Sequence, residues 1–131
     1  MKKPSYMKMV REAWEKAPPH VRKSGFDGFA AAQLALNMLA KMGDFKEKMA
    51  EFMAQDYPDS EKFVVILLHT PPGAMPPKMS WFRVRATGFE EAEESGKKQA
   101  LAVSGMESFA WFSYHATAVM EAMRRFNAAV N

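Results

Sequence analysis

Cysteine is absent from all 131 residues, which excludes disulfides, thiolate metal sites, iron–sulfur clusters and cysteine nucleophiles. An intracellular setting fits this absence, in the cytoplasm or in an organelle such as the mitochondrion. No apolar run approaches the roughly 18 residues of a membrane-spanning helix. The longest is Phe63-Val-Val-Ile-Leu-Leu68, which reads as a strand. Lys2 and Lys3 are followed by Glu12 and Glu15 with no apolar signal core behind them, so neither secretion nor a membrane partner is expected. Glycine-rich phosphate loops, a nucleophile elbow and triad spacing are also lacking. His20, His69 and His115 have no Glu or His at ligand spacing, so no metal site is expected. The carboxylates Glu90, Glu91, Glu93 and Glu94 read as a solvated acidic face, not as a catalytic pair. The sequence therefore predicts no enzyme, no catalytic residues and no cofactor.

What is present is the composition of a folding chain: 48% of residues are hydrophobic and 25% charged, too apolar for disorder. The net charge of +3 is unevenly spread. Residues 1–44 hold eight Lys/Arg against four Asp/Glu, whereas residues 45–131 hold ten against eleven.

Apolar residues at 6, 7, 9, 10 and 14 predict a first helix over about 5–17, ended by Pro18-Pro19. An Ala/Leu/Met-rich segment from Asp27 to Met42 predicts a second helix, buried on several sides and stopped by Gly43. Asp44 caps a third, in which Phe45, Met49, Phe52 and Met53 recur at helical spacing. Phe63 to His69 has the β-branched content of a buried strand, and the prolines of Thr70 to Pro77 make the next stretch a loop. Met79 to Thr87 alternates as a half-buried strand, with Trp81, Arg83 and Arg85 on one face. Phe89 to Glu94 fits either a short third strand or a helix start. From Ser95 a small-residue helix is expected, and apolar residues at 112, 116, 119, 120, 123 and 126 prolong it or seed another helix.

Three pieces together resemble the double-stranded-RNA-binding domain: Phe63 to Gly73, Phe82-Arg-Val-Arg-Ala-Thr-Gly88, and Ser95-Gly-Lys-Lys-Gln-Ala-Leu-Ala-Val-Ser-Gly-Met-Glu-Ser-Phe109. The last is similar to the family's Lys-Lys-x-Ala helix start and is the most specific. The resemblance implies an α+β fold of order α-β-β-β-α over about residues 44–112, with helical extensions at 1–43 and 113–131. It implies a non-enzymatic RNA-binding or ribonucleoprotein-assembly protein that reads the shape of structured or double-stranded RNA. Lys97 and Lys98, at the start of the last helix, would meet phosphates with the helix dipole behind them. Lys78 would add charge, and Glu51 and Gln55 would reach the minor groove from the first helix.

Leu101 stands where the family pattern has a third lysine, Thr70-Pro-Pro-Gly-Ala-Met75 has no histidine, and four glutamates precede Lys97. These departures point to the alternative, a protein-interaction or dimerisation module that has lost duplex RNA. Its contact residues would be Leu101, Trp81, Arg83 and Arg85, the last three able to stack on single-stranded bases and expected to face a protein partner or the N-terminal helices.

Overall fold

The computed structural model describes residues 6–71 and 78–130. Its elements, in chain order, are α1 (Tyr6–Lys16), α2 (Pro19–Arg22), α3 (Gly25–Ala40), α4 (Gly43–Ala54), a 3-10 turn (Asp59–Glu61), β1 (Lys62–Leu68), β2 (Met79–Arg85), α5 (Phe89–Ser104), β3 (Ala110–His115) and α6 (Ala116–Val130). The fold is α+β. The Pro-rich part of the expected loop, residues 72–77, lies outside the described residues.

The sheet has the order β2-β1-β3, with both pairs antiparallel. All seven residues of β1 are buried, as a continuous apolar run in a strand covered on both faces requires. Its alternation divides two hydrophobic clusters. Phe63, Val65 and Leu67 pack with Val84, Ala92 and Ala100 beneath α5. Val64, Ile66 and Leu68 join a larger cluster running from Val10 of α1 through α3 and α4 to Phe126 of α6. The architecture is three layers: α5, the sheet, and the remaining long helices.

Two sequence expectations need correction. Phe89 to Glu94, open between a short strand and a helix start, is helix, so the third strand that the α-β-β-β-α order places before Ser95 is not there. Phe89, Ala92, Glu93, Gly96 and Ala100 fall on one side of α5, and Glu90 and Glu91 occupy its first turn, where carboxylates complement the helix dipole. Thr87 Oγ1 donates to Glu91 at 2.6 Å and ties this first turn to the preceding chain. The helix then stops at Ser104 and does not run on through Trp111. Gly105 adopts the left-handed conformation at φ 69° and donates its N–H to Leu101 O, a glycine C-terminal stop. The aromatic run that follows forms β3, with Ala110, Phe112 and Tyr114 facing the helical layer and Trp111, Ser113 and His115 facing α5. The third strand thus follows the Lys97-Lys98 helix in sequence and does not precede it, so the expected α-β-β-β-α order is observed as α-β-β-α-β-α.

The open edge of β3 is guarded by α2. His20 Nε2 donates to Ser113 O at 2.9 Å, and the His20 ring stacks on Phe89 at 3.8 Å. A side chain thus occupies a carbonyl that would otherwise template another strand.

Candidate functional site

Lys97 and Lys98 lie in the third turn of α5, not at its N-terminus, so they gain nothing from the helix dipole. Lys97 is committed internally: its Nζ lies 3.0 Å from Glu94 Oε1 and 4.1 Å from the centre of the Trp111 ring. Lys98 is exposed. Lys78 is exposed just before β2, where its backbone N–H donates to Thr70 Oγ1 at 3.2 Å. Glu51 and Gln55 are on the other side of the sheet. Glu51 lies on α4, 3.6 Å from Arg83, and Gln55 just beyond α4 offers its carbonyl to Lys62 Nζ at 2.7 Å. The five residues expected to gather on RNA are therefore divided by the sheet.

Three of the four expected partner contacts are also engaged within the chain. α4 covers the face of β2 that carries them. Trp81 meets Phe45 edge-on, with centroids 4.5 Å apart. Arg83 donates to Lys48 O at 3.0 Å. Arg85 stacks 3.6 Å over Tyr57 and pairs with Glu61 at 3.3 Å. The element on this face is α4, the first helix of the segment that resembles the RNA-binding domain, and not the helices of residues 1–43. Leu101, in contrast, is half exposed.

Sequence reasoning missed a buried polar node. Glu93, on the sheet-facing side of α5, accepts hydrogen bonds from Lys23 Nζ at 2.7 Å and Ser113 Oγ at 2.8 Å. The geometry joins the α2 to α3 connection, α5 and β3. It is not a nucleophile relay, because His20 binds the Ser113 carbonyl and not its hydroxyl, and Ser113 is fully buried. The other histidines are likewise structural: His69 Nδ1 donates to Glu107 O at 2.9 Å, and His115 stacks on Phe63 at 4.7 Å. Among the described residues no group of three or more His, Asp or Glu could hold a metal ion. No described helix is long and apolar enough to cross a membrane.

At one end of the sheet Leu68 of β1 adjoins Met79 and Ala110, and the chain passes there into residues 72–77, which lie outside the described residues. Helix α5 runs from Phe89, against Phe63, past Gly96, over Val65, and continues toward this end. Val103 lies seven residues beyond Gly96 and so continues the buried stripe of α5 past the sheet that would cover it. Helix α4 starts at the same end, since Phe45 lies on Trp81, the neighbour of Ile66, while Met53 near its finish meets Lys62. Exposed large apolar residues lie on both sides of the sheet: Leu101, Val103 and Phe109 in α5 and the segment after it, and Met38 and Met42 in α3 and its connection to α4, from 47% to 78% exposed. Exposed Lys41 and Glu107 lie in the same segments, and neither takes part in the side-chain ion pairs of the described residues.

Compared with known proteins, the chain matches no family model, no curated protein and no solved structure.

Proposed function

We propose that this chain is a non-enzymatic interaction module that pairs with a second copy of itself through the apolar end of the sheet. The observation that carries this is Val103, an extension of the core stripe of α5 left 78% exposed, with Phe109 exposed in the segment that follows. Large apolar side chains left exposed where a core stripe runs out support an interaction site. A second copy is the fitting occupant because Lys41 and Glu107 supply both charge signs around the patch. A two-fold contact can therefore set each against its opposite. Sedimentation velocity of the full chain tests this. A concentration-dependent dimer that Val103→Glu with Phe109→Glu converts to monomer is expected; a strict monomer at all concentrations contradicts it.

The duplex-RNA reading has less support. Lys78 and Lys98 are exposed cations at or near the same end, but Glu51 and Gln55 stand across the sheet from Lys97 and Lys98. Anisotropy of a labelled RNA duplex separates the two readings. Salt-sensitive binding lost in Lys97→Glu with Lys98→Glu would favour RNA, whereas no binding accompanied by dimerisation favours the module.

A further inference from the structure

At the Leu68 end of the sheet, His69 and Ser80 form a hydrogen-bonded pair. His69 follows Leu68 directly, and its backbone N–H donates to Lys78 O at 2.9 Å, continuing the ladder of β1 and β2 by one rung. Strand alternation puts its ring on the face that carries Phe63, Val65 and Leu67 beneath α5, and Ser80, the partner of Leu67, on the same face. Ser80 Oγ lies 2.8 Å from His69 Nε2. The other ring nitrogen, Nδ1, lies 2.9 Å from Glu107 O. A carbonyl oxygen only accepts, so Nδ1 carries the proton and Nε2 is the bare nitrogen. The Ser80 hydroxyl therefore donates to Nε2. Both residues are partly exposed.

These groups are a nucleophile, a base within hydrogen-bond reach of it, and a third group that fixes the tautomer and direction of the base. The Glu107 carbonyl takes the place of the carboxylate in a serine triad, and a main-chain group leaves no mark in a sequence pattern. That carbonyl is itself anchored: two residues on, the Phe109 N–H donates to Leu68 O at 2.7 Å, next to His69 in the chain. The Glu93 node differs, since there the histidine meets a carbonyl and the serine hydroxyl faces a carboxylate.

We infer that Ser80 is a nucleophilic serine that accepts an acyl group from an activated ester or thioester. As Oγ bonds to the acyl carbon, its proton passes to His69 Nε2. The bond from that carbon to the leaving oxygen or sulfur breaks, and the leaving group takes the electron pair and then the proton from the imidazolium. The products are acyl-Ser80 and a free alcohol or thiol. The chain is itself the acceptor, so this is a modification site on an interaction module, and it does not depend on self-pairing.

Incubation of the full chain with p-nitrophenyl acetate, followed by tandem mass spectrometry of its peptides, tests this. Acetylation of Ser80 should be about 100-fold faster than that of Ser60, an exposed serine of the 3-10 turn, as general-base assistance requires. Ser80→Ala should remove the adduct. His69→Asn keeps an amide donor for Glu107 O but has no base, so it should slow acetylation of Ser80 about 100-fold while the circular dichroism spectrum stays native. Acetylation of Ser80 no faster than that of Ser60 overturns the inference, and this comparison needs no variant. An unchanged rate in a natively folded His69→Asn overturns it as well.

Discussion

Gly96 of α5 lies directly on Val65 of the central strand: a Cβ at this glycine would stand 2.7 Å from Val65 Cγ1 and 3.0 Å from its Cβ. Val65 is fully buried and β-branched, so it cannot swing aside. The contact sets how closely α5 approaches the sheet, and hence where Val103 emerges beyond it. Gly96→Ala should gain up to about 1 kcal/mol of helix propensity and lose about 1–3 kcal/mol to overpacking. Urea unfolding should show a net loss of stability; a gain would mean that α5 sits less tightly than described.

Lys62 is a buried lysine that holds the end of α4. Its side chain is 2% exposed and donates to Met53 O at 2.8 Å and Gln55 O at 2.7 Å, with Asp59 at 3.6 Å. A cation on the last carbonyls of a helix satisfies acceptors that the helix cannot. Lys62→Met keeps the length of the side chain but strands both carbonyls, so a loss of about 1–3 kcal/mol is expected. Hydrogen exchange should become faster first in the last turn of α4.

The Glu93 node makes a third prediction. Ser113→Ala removes a donor to a buried carboxylate and should cost about 1.5–3 kcal/mol. Lys23 is about a third exposed, so Lys23→Met should cost less. The two effects should not add, because both residues serve the same carboxylate. A double-mutant cycle read by chemical denaturation measures the coupling.

Much of this was legible in the sequence, for reasons that lie in particular residues. The unbroken run Phe63 to Leu68 has the length and β-branched content of a buried strand, and the alternation from Met79 onward gave β2 its two sides. The small residues expected to let this helix lie on the sheet were Ala100, Ser104, Gly105 and Ser108; of these Ala100 alone is buried, and Ala92 and Gly96 make the close approach with it. The misplaced third strand traces to Gly105 and the run Ala110 to His115. Apolar residues at 112, 116 and 119 also fit a helical period, but Ser104-Gly105 is a helix stop and Trp-Phe-Ser-Tyr a strand composition. The Glu93 node was not legible, since its partners Lys23 and Ser113 are 70 and 20 residues away in sequence. The covering of Trp81 and Arg83 by α4 was likewise set by tertiary packing alone.

Tyr6 and Tyr114 predict an alkaline transition. Burial raises the Tyr6 pKa from 10.0 to about 12, and burial raises that of Tyr114 further still. Both phenols are neutral in the folded and unfolded states below about pH 10. As pH rises past that point the unfolded chain loses these protons first, so it binds fewer than the folded state and stability falls with pH. For Tyr6 the fall continues to about pH 12. Tyr6→Phe and Tyr114→Phe should each flatten the decline in urea-unfolding stability above pH 10 while leaving the neutral-pH slope unchanged.

The absence of native cysteine allows the proposed self-association to be read from a single introduced thiol. Val103→Cys, in the last turn of α5, should be compared under mild oxidation with Met7→Cys, an exposed position on α1. Rapid formation of a disulfide-linked dimer by Val103→Cys, with Met7→Cys remaining monomeric, is the predicted result. Equal rates at the two positions, or no dimer from Val103→Cys, would contradict the account.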